Sequence, residues 1–254
     1  MEVTFNFEGK NFVVVGASSG IGKQTAIELA ESGANVLAIG RNLERLEALK
    51  NINPAKIFTA SLDVIKATAD DWTTTLEEFK NSCGKIDGGV YSAGIWGLTP
   101  LNGFDENLAH KIFDTSFWGM VNFIQVVSKK KFSNAGSSFV MMSSISGGYG
   151  SKSLFAYSAA KSAVQTAVQS FSKEIVRNKL RINSVAPAMV NTEMMNNEMY
   201  AAMASEEMIS RHLLGLGKVE DVSGMILFLL SNRAAWITGQ NFFVDGGYIS
   251  GSYV

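Results

Sequence analysis

Short apolar runs alternate with amphipathic segments along most of the chain. Runs of β-branched and aromatic residues predict buried strands at residues 11–15, 35–39, 56–61, 86–91, 139–142, 180–186 and 241–244. Apolar residues at helical spacing predict helices over residues 23–32, 43–50, 69–82, 104–131, 153–177 and 220–230. This alternation favours one α/β domain over residues 1–254, with a doubly wound parallel sheet of about seven strands and helices on both faces.

Two of the predicted helices have apolar faces that we expect to lie in the core. The helix over residues 69–82 has a stripe made of Trp72, Leu76 and Phe79. The long helix over residues 104–131 has an inner face predicted to comprise Phe113, Phe117, Met120 and Ile124. Lys129 to Lys131 are expected to close that helix, because cations stabilise a helix C-terminus.

The segment from about residue 189 to residue 214 is rich in methionine, which is adaptable and fills irregular apolar surfaces. Its six methionines are Met189, Met194, Met195, Met199, Met203 and Met208. A lid over an apolar substrate has this composition, and so has an ordinary pair of buried helices. The sequence favours neither interpretation over the other.

Composition narrows the class of protein. Hydrophobic residues make up 46% of the 254 residues, which is enough for a sizeable core. A formal net charge of -1 argues against nucleic acid as the main partner, and no apolar run approaches the roughly 18 residues of a membrane span. The single cysteine, Cys83, and the lack of a signal-peptide pattern favour a reducing, cytoplasmic location. Two distant histidines and no dense group of ligand residues make a metal site unexpected.

A glycine-rich turn, Gly16-Ala-Ser-Ser-Gly20-Ile-Gly22, follows the first predicted strand and precedes the first predicted helix. In that context Gly16 permits a tight turn, Gly20 lets a pyrophosphate approach the backbone, and Gly22 lets helix and strand pack closely. The helix N-terminus adds free N–H groups and a partial positive charge. The predicted cofactor-binding loop also includes Ser18, Ser19 and Ile21. Many turns are rich in glycine, but this position between strand and helix favours nucleotide binding.

The end of the second predicted strand bears on the choice of cofactor. In a dinucleotide fold a carboxylate there recognises the 2′-hydroxyl of NAD, and an arginine accommodates the 2′-phosphate of NADP. The chain has Gly40 and then Arg41, which predicts NADP(H), unless Arg41 only begins a solvated helix. Asp63, after the third strand, either accepts a hydrogen bond from an adenine amino group or caps the next turn. The small residues Ala93 and Gly94, after the fourth strand, keep the backbone close to a nucleotide.

A serine, a tyrosine and a lysine are predicted to share one cleft. Ser144 follows the strand that ends at Met142, and Tyr157 and Lys161 are four residues apart, so they share one face of a helix. A free tyrosine, with a pKa of roughly 10, is a poor acid–base catalyst near neutral pH, but a nearby ammonium lowers that pKa. The serine hydroxyl can hold a substrate oxygen beside the phenol. These groups suit proton transfer to or from a carbonyl or alcohol oxygen, although the spacing alone also fits a tyrosine and a lysine with no shared task.

These motifs occur in the order and at the spacing of the short-chain dehydrogenase/reductase family, which the chain resembles from about Phe7 to Gly247. The resemblance rests on Gly16-x-x-x-Gly20-x-Gly22, Ser144, Tyr157-x-x-x-Lys161, Pro187 and Asp245-Gly246-Gly247. It implies a Rossmann fold, a nicotinamide cofactor and a homodimer or homotetramer. Tyr157 would be the catalytic acid/base, Lys161 would lower its pKa and bind the nicotinamide ribose, and Ser144 would orient the substrate.

The resemblance also implies roles for other residues around the cofactor. Adenosine-side positions correspond to Asp63, Val64 and Ala93. Nicotinamide-side positions correspond to Val190 and Thr192, after the Pro187 that ends the sixth strand.

The chain departs from the family pattern near the expected site. The usual Asn-Asn-Ala-Gly is Tyr91-Ser92-Ala93-Gly94, and the usual Pro-Gly is Pro187-Ala188. The family's fourth helix normally carries a catalytic asparagine that holds a water in a proton relay to the lysine, and the matching position here is Ser116. A serine can hold water with one fewer polar group, so this departure bears on proton delivery rather than on cofactor binding.

Two functions of different classes follow from the sequence. The first is an NADPH-dependent carbonyl reductase or alcohol dehydrogenase, similar both to 3-oxoacyl-carrier-protein reductases and to general alcohol or steroid dehydrogenases. A basic patch for an acidic carrier protein with a thioester substrate would comprise Lys129 to Lys131, Arg177 and Lys179, although charged helix ends are usually only solvated. The alternative is an NADP(H)-binding sensor or structural subunit with weak or no catalysis. The missing asparagines motivate it, and the intact Tyr157 and Lys161 oppose it.

Overall fold

Seven parallel strands form the central sheet of the structure, a computed structural model that describes residues 3–193 and 205–250. The strand order is β3-β2-β1-β4-β5-β6-β7. The strands are β1 (Asn11–Val15), β2 (Asn35–Gly40), β3 (Ile57–Ser61), β4 (Ile86–Tyr91), β5 (Ser133–Met142), β6 (Arg181–Pro187) and β7 (Asn241–Val244). The predicted doubly wound α/β sheet is therefore confirmed.

Helices cover both faces of the sheet. They are α1 (Gly20–Glu31), α2 (Leu43–Lys50), α3 (Ala69–Cys83), α4 (Glu106–Phe113), α5 (Gly119–Val127), α6 (Ser146–Tyr149), α7 (Phe155–Ile175), α8 (Glu206–Ser210) and α9 (Val219–Leu230). A π-helical turn, Asp114–Trp118, joins α4 to α5, and short 3₁₀ turns follow α7 (Val176–Asn178) and α9 (Asn232–Ala234). Within the described ranges, no helix is both long and apolar enough to cross a bilayer.

The core lies in two layers, one on each side of the sheet. Alternate side chains of β1 point to opposite faces, so Phe12 and Val14 pack with α1, α2 and α9, whereas Val13 and Val15 pack with α3, α5 and α7. The predicted stripe of α3 lies fully inside the second layer, where Trp72 packs against the ring of Phe123. A sheet buried on both faces explains why the strands are continuous apolar runs.

The direction of winding reverses between β1 and β4. Strands β1, β2 and β3 proceed towards one edge of the sheet, and β4 to β7 proceed towards the other. The connections after β1 and β4 therefore diverge at the carboxyl ends of neighbouring strands. An open α/β sheet has a crevice at this position.

The long helix predicted over residues 104–131 is wrong in its continuity and its ends. It begins at Glu106, where the Asp105 carboxylate accepts the Leu108 N–H, and it ends at Val127. Ile112 and Ser116 are buried, whereas the predicted inward residues Phe113 and Phe117 are only half-buried. The apolar face of α4 thus lies one residue earlier than predicted, and the wider π-helical turn connects it to the face of α5. Met120 and Ile124 lie in the core as predicted.

Two other predicted boundaries also change. Strand β5 begins at Ser133, six residues before the predicted start, because its first half is polar and was not recognised as a strand. Helix α7 ends at Ile175, and Lys179 adopts a left-handed conformation with φ of 59° before β6. Lys129 to Lys131 lie in the turn between α5 and β5 and do not close a helix.

Candidate active site

A cavity of about 650 Å³ lies at the carboxyl ends of the strands, where the sheet reverses its winding. One half is lined by residues from the first part of the chain, 15–94, and the other half by residues after 94, mainly those from 142 onwards. The predicted site residues that line it are Gly16, Ser18, Ser19, Gly20, Ile21, Gly22, Arg41, Asp63, Val64, Ala93, Gly94, Ser144, Tyr157, Lys161, Pro187, Val190 and Thr192. Ser116 is the predicted site residue that does not.

The backbone of the glycine-rich loop packs so closely against the residues after β4 that Gly16 and Gly22 have no room for side chains. Gly16 has φ of 85°, and a Cβ on it would lie 2.6 Å from the Ala93 nitrogen. A Cβ on Gly22 would lie 2.3 Å from the Ser92 Oγ and 2.4 Å from the Gly16 oxygen. Only glycine satisfies both positions, so the loop, the start of α1 and the end of β4 form one closely packed cradle.

The N-terminus of α1 opens into this cradle. Ser19 occupies the N-cap position, yet its side chain makes no hydrogen bond to the helix, and the first turn has no acidic residue. The N–H groups of that turn thus keep their partial positive charge for an anion. Ser92 stabilises the adjacent strand ends, since its hydroxyl donates to the Val15 carbonyl over 2.8 Å.

The ends of β2 and β3 contribute the charged residues of this half. Arg41 is exposed at the cavity wall, next to Gly40, whose Cβ position is 3.3 Å from the Ser18 side chain. Asp63 lines the cavity too, but its Oδ1 accepts the Ile65 N–H over 3.2 Å, so the turn-capping alternative describes a contact that it does make.

An ion pair joins the two sides of the groove. The Arg45 guanidinium on α2 donates to the Glu193 carboxylate over 2.8 Å, although the two residues are 148 positions apart. Glu193 follows Thr192 at the cavity wall. This exposed pair links the helix after β2 to the loop after β6.

Hydrogen bonds fix the orientation of Ser144. Its Oγ accepts the Ser146 N–H over 3.2 Å, which leaves the hydroxyl proton free for another acceptor. The Gln165 amide on α7 donates to the Ser144 carbonyl over 3.2 Å and to the Ser143 Oγ over 2.9 Å. Ser143 in turn donates to the Lys161 carbonyl over 2.9 Å. Strand β5 and helix α7 are thereby held in one arrangement around the serine.

Lys161 is a buried titratable group of the cavity wall with a strongly perturbed pKa. It is 3% exposed, and its Nζ donates to the Met142 carbonyl over 2.9 Å. The Nζ lies 5.7 Å from the centroid of the Tyr157 ring, one helical turn away. Burial lowers the pKa of Lys161 to about 8, because the low-dielectric interior disfavours the ammonium. Perturbation of this kind is typical of functional sites.

Ser116 lies behind the cavity wall. It is buried in the π-helical turn, and its Oγ has no hydrogen-bond partner within the described residues. A Cβ on Gly94 would lie 3.5 Å from that Oγ and 3.2 Å from the Lys161 Nζ, so Gly94 separates the two groups. An unpartnered buried hydroxyl is rare and costly, which is consistent with space for a water between Ser116 and Lys161.

Tyr91 stands where the family pattern has an asparagine, and its hydroxyl explains why position 119 is a glycine. Tyr91 is buried, and its hydroxyl donates to the Thr115 carbonyl of the π-helical turn over 2.6 Å. Burial raises the pKa of Tyr91, so it remains a phenol at any ordinary pH. A Cβ on Gly119 would lie 2.3 Å from the Tyr91 oxygen. Tyr91 thus fixes the turn that carries Ser116.

Sequence reasoning missed much of the second half of the cavity. The missed lining residues include Ile95, Trp96, Leu98, Ser146, Ser151, Lys152, Ser153, Leu154, His212 and Tyr248. His212 is 4% exposed, and its Nε2 accepts the Met189 N–H over 3.3 Å while its Nδ1 faces the Met208 carbonyl at 3.1 Å. A neutral ring that donates from Nδ1 satisfies both contacts. The motif around Tyr157 does not indicate His212 or Tyr248, which lie more than fifty positions away in the sequence.

The methionine-rich segment is described only in part. Met189 and Met208 line the cavity, while Met194, Met195, Met199 and Met203 lie outside the described residues.

The predicted basic patch lies at the opposite edge of the sheet. Lys129 to Lys131 precede β5, and Arg177 and Lys179 precede β6, so all five are near the amino ends of the strands. The ten residues of β5 separate those ends from the cavity by about 30 Å. Lys131 also pairs with Glu77. The patch therefore gives no support for a carrier protein at this cavity.

Comparisons with known proteins bear on this arrangement. A family model described as enoyl-(acyl carrier protein) reductase matches residues 16–249. The chain is 32% identical over 246 residues to the 3-oxoacyl-[acyl-carrier-protein] reductase of Thermotoga maritima, covering 95% of this chain and 98% of that one. It is 28% identical over 247 residues to the NAD-dependent glycerol dehydrogenase of Listeria innocua, covering 96% and 95%.

A solved structure is similar over nearly the whole chain. The short-chain dehydrogenase/reductase of Brucella melitensis described as a glucose/ribitol dehydrogenase superposes with a TM-score of 0.89 at 28% identity, covering 97% of this chain and 99% of that one. The names of these relatives describe different substrates, and the name of one of them specifies NAD.

Proposed function

We propose that this chain, which belongs to the short-chain dehydrogenase/reductase family, is an NADP(H)-dependent reductase of a carbonyl compound that also oxidises the corresponding alcohol. The observation that carries the proposal is that Ser144, Tyr157 and Lys161 line the same cavity as the glycine-rich cradle. Members of the short-chain dehydrogenase/reductase family are oxidoreductases that use a nicotinamide cofactor. The choice of NADP(H) and the substrate are our inference from this chain's own residues.

The cradle half would bind the cofactor. The backbone of Gly16 to Gly22 and the uncapped start of α1 would hold the pyrophosphate. Asp63, Val64 and Ala93 would surround the adenosine, while Pro187, Val190 and Thr192 would face the nicotinamide. Arg41 supports NADP(H), since it offers a cation where NAD-binding chains place a carboxylate. The bound nicotinamide supplies or accepts the hydride.

The other half would manage the proton and the substrate oxygen. The Ser144 hydroxyl, with its Oγ already accepting one N–H, has its proton available for the carbonyl oxygen. Tyr157 would give its proton to that oxygen during reduction and take it back during oxidation. The buried Lys161 ammonium would stabilise the resulting phenolate. A water between Ser116 and Lys161 would return the proton from solvent.

We propose that the segment 189–214 is a lid over the substrate. Met189 and Met208 line the cavity. His212 accepts the Met189 N–H in the loop after β6 and faces the Met208 carbonyl of α8, so it connects the two elements. The proposed substrate is a small carbonyl compound. A thioester on a carrier protein is the second candidate, supported by the relative from Thermotoga maritima rather than by a basic surface at this cavity.

We propose that the chain forms a homodimer or homotetramer through α4, α5 and α7. Phe104 and Phe155 pack edge to face at 5.0 Å beside these helices, yet both remain exposed, as does Trp118. Exposed aromatic groups of this kind favour an interface. Light scattering should give the mass of two or four chains, and a monomer at micromolar concentration would contradict the proposal.

The test of the reductase function is Tyr157→Phe, assayed with NADPH and a panel of ketones, keto acids and acetoacetyl thioesters. We expect turnover to fall by at least about a hundredfold, while NADPH binding measured by fluorescence stays within twofold. Tyr149→Phe is the matched control, because Tyr149 is exposed and does not line the cavity. Substantial activity in Tyr157→Phe would exclude Tyr157 as the proton donor.

The sensor alternative has its own outcome in the same experiment. The serine at position 116, where the family normally carries a catalytic asparagine, is the observation that favours it. If the unmodified protein binds NADPH tightly and oxidises it with no member of the panel, a binding function without catalysis replaces the reductase. Ser116→Asn would then test whether the missing amide accounts for the loss.

A further inference from the structure

Lys152 places an exposed ammonium at the wall of the substrate half of the cavity. The charged residues of the wall divide clearly. Arg41 and Asp63 follow the strands of the cradle half, and Glu193 is paired with Arg45 on α2. Lys152 and the buried Lys161 are the cations of the other half. Among the described residues, the carboxylate of that half is Glu193, which is paired with Arg45, and no carboxylate lies within ion-pair distance of Lys152 or Lys161.

The turn that carries Lys152 is tightly held. It runs from Ser151 to Leu154, closed by the Leu154 N–H, which donates to the Ser151 carbonyl over 3.0 Å. Its third residue, Ser153, has φ of 62°, a left-handed conformation that favours glycine and is strained for a serine. Residues with such strain cluster at functional sites. The second position, where Lys152 lies, is the corner of the turn.

Contacts on both sides fix the turn to the catalytic residues. The Ser151 Oγ lies 3.1 Å from the Ser146 Oγ, and the Ser146 N–H donates to Ser144. The Ser151 N–H donates to the Ser158 Oγ, next to Tyr157, over 3.2 Å. The Thr99 N–H donates to the Ser153 carbonyl over 2.7 Å. These hydrogen bonds hold the backbone of Lys152 in a fixed position relative to Ser144 and Tyr157.

We propose that the substrate carries an anionic group, a carboxylate or a phosphate monoester, on the same small molecule as its carbonyl, and that Lys152 binds this group. Lys152 is then a specificity-determining residue. Ser153 and one member of the hydrogen-bonded pair Ser146 and Ser151 would offer hydroxyl donors beside it. This inference rests on the proposed reductase function and defines its substrate class. Two cations in this half of the wall, with no carboxylate of the described residues within ion-pair distance of either, favour such a substrate over a neutral isostere.

The experiment compares matched pairs of substrates with NADPH. Acetoacetate is paired with methyl acetoacetate, and dihydroxyacetone phosphate with dihydroxyacetone, so that the two arms distinguish a carboxylate from a phosphate. In Lys152→Gln we expect KM for the preferred anionic compound to rise about five- to tenfold, while KM for its neutral partner changes less than twofold. Lys152→Arg should restore most of the difference. Lys173→Gln, on the exposed side of α7, is the control.

Two results separate the inference from the function on which it rests. If the wild-type protein reduces neutral and anionic partners equally, or if Lys152→Gln affects both alike, the anion site is refuted and the reductase remains. If no compound is reduced, the same four are titrated calorimetrically against the NADP⁺-loaded protein. Binding of an anionic compound that weakens in Lys152→Gln would then support the site without the activity, and equal binding would refute it.

Discussion

Tyr91 and Gly119 should depend on each other in a way that a double-mutant cycle can measure. The Tyr91 hydroxyl occupies the space where Gly119 would have a Cβ, at 2.3 Å. The next nearest heavy atoms, the Asp114 oxygen and the Val64 Cβ, are both 3.2 Å away. Removal of the hydroxyl alone therefore converts an impossible contact into a merely close one. The variants are Tyr91→Phe, Gly119→Ala and the two combined.

The magnitudes follow from these contacts. Tyr91→Phe removes a buried hydrogen bond to the Thr115 carbonyl and should cost about 1 kcal/mol. Gly119→Ala gains about 1 kcal/mol of helix propensity in either background. In the wild type the overlap with Tyr91 costs more than this gain, roughly 2–3 kcal/mol, so the net effect is destabilising. In Tyr91→Phe the same substitution should be neutral or stabilising, and the coupling free energy should be about 2 kcal/mol.

Urea denaturation of the four proteins gives the cycle, and thermal melting gives a second measure. For a chain of this size, 1 kcal/mol corresponds to about 2–4 °C in Tm. The informative result is the reversal of sign of Gly119→Ala between the two backgrounds. If the two substitutions are additive within about 0.5 kcal/mol, the Tyr91 hydroxyl does not occupy the space beside Gly119, and the account of this turn is wrong.

Four further predictions concern the cavity. The pKa of Lys161 is about 8 in the folded chain and 10.5 in the unfolded chain, so the unfolded chain binds more protons between these pH values. The free energy of unfolding should therefore rise with pH by up to about 3 kcal/mol across this window in the wild type, but not in Lys161→Met. Urea denaturation at about pH 7.5 and about pH 10.5 measures this difference. Since only the ammonium supports the Tyr157 phenolate, kcat/KM for reduction should fall above about pH 8, and a rate that climbs through this range would contradict the role of Lys161. Arg41→Ala should weaken NADPH binding about tenfold and leave NADH binding unchanged in a fluorescence titration, whereas equal losses would exclude a 2′-phosphate contact. His212→Phe leaves the Met189 N–H without its acceptor and should lower Tm by about 2–6 °C and raise the substrate KM more than it lowers kcat; unchanged melting would show that the ring makes no such bond.

Local sequence patterns predict the strands and the glycine-rich turn because consecutive residues form each of them. A buried parallel strand is a continuous apolar run, and Gly16 to Gly22 lie between a strand and a helix. The start of β5 escaped this reasoning, since its polar residues, from Ser133 onwards, resemble a loop. The predicted apolar face of the long helix is wrong before and within Asp114–Trp118 and right after it, because the wider π-helical turn interrupts the α-helical period of about 3.6 residues.

The substrate half was harder to predict because its residues come from distant parts of the chain. Thr99 meets Ser153 only through a folded contact, and His212 reaches Met189 across 23 positions. Nothing in the local sequence marks Lys152 as a wall residue, since an exposed lysine in a serine-rich turn is ordinary on any surface. In the sequence, Tyr91 is only a departure from a family pattern. The contact between its hydroxyl and Gly119, which explains the glycine, exists only in the folded chain.

The division of the cavity between two stretches of chain has a consequence for how this protein can be modified. The cradle is built by residues 15–94, and most of the substrate wall by residues from 142 onwards. Substitutions in the second stretch that spare Ser144, Tyr157 and Lys161, as well as the proposed nicotinamide-side residues Pro187, Val190 and Thr192, would therefore change which molecule is accepted with little effect on the affinity for the coenzyme. Laboratory evolution towards a new substrate would concentrate its library on the turn at Ser151–Leu154 and on α8, and leave the first ninety residues constant.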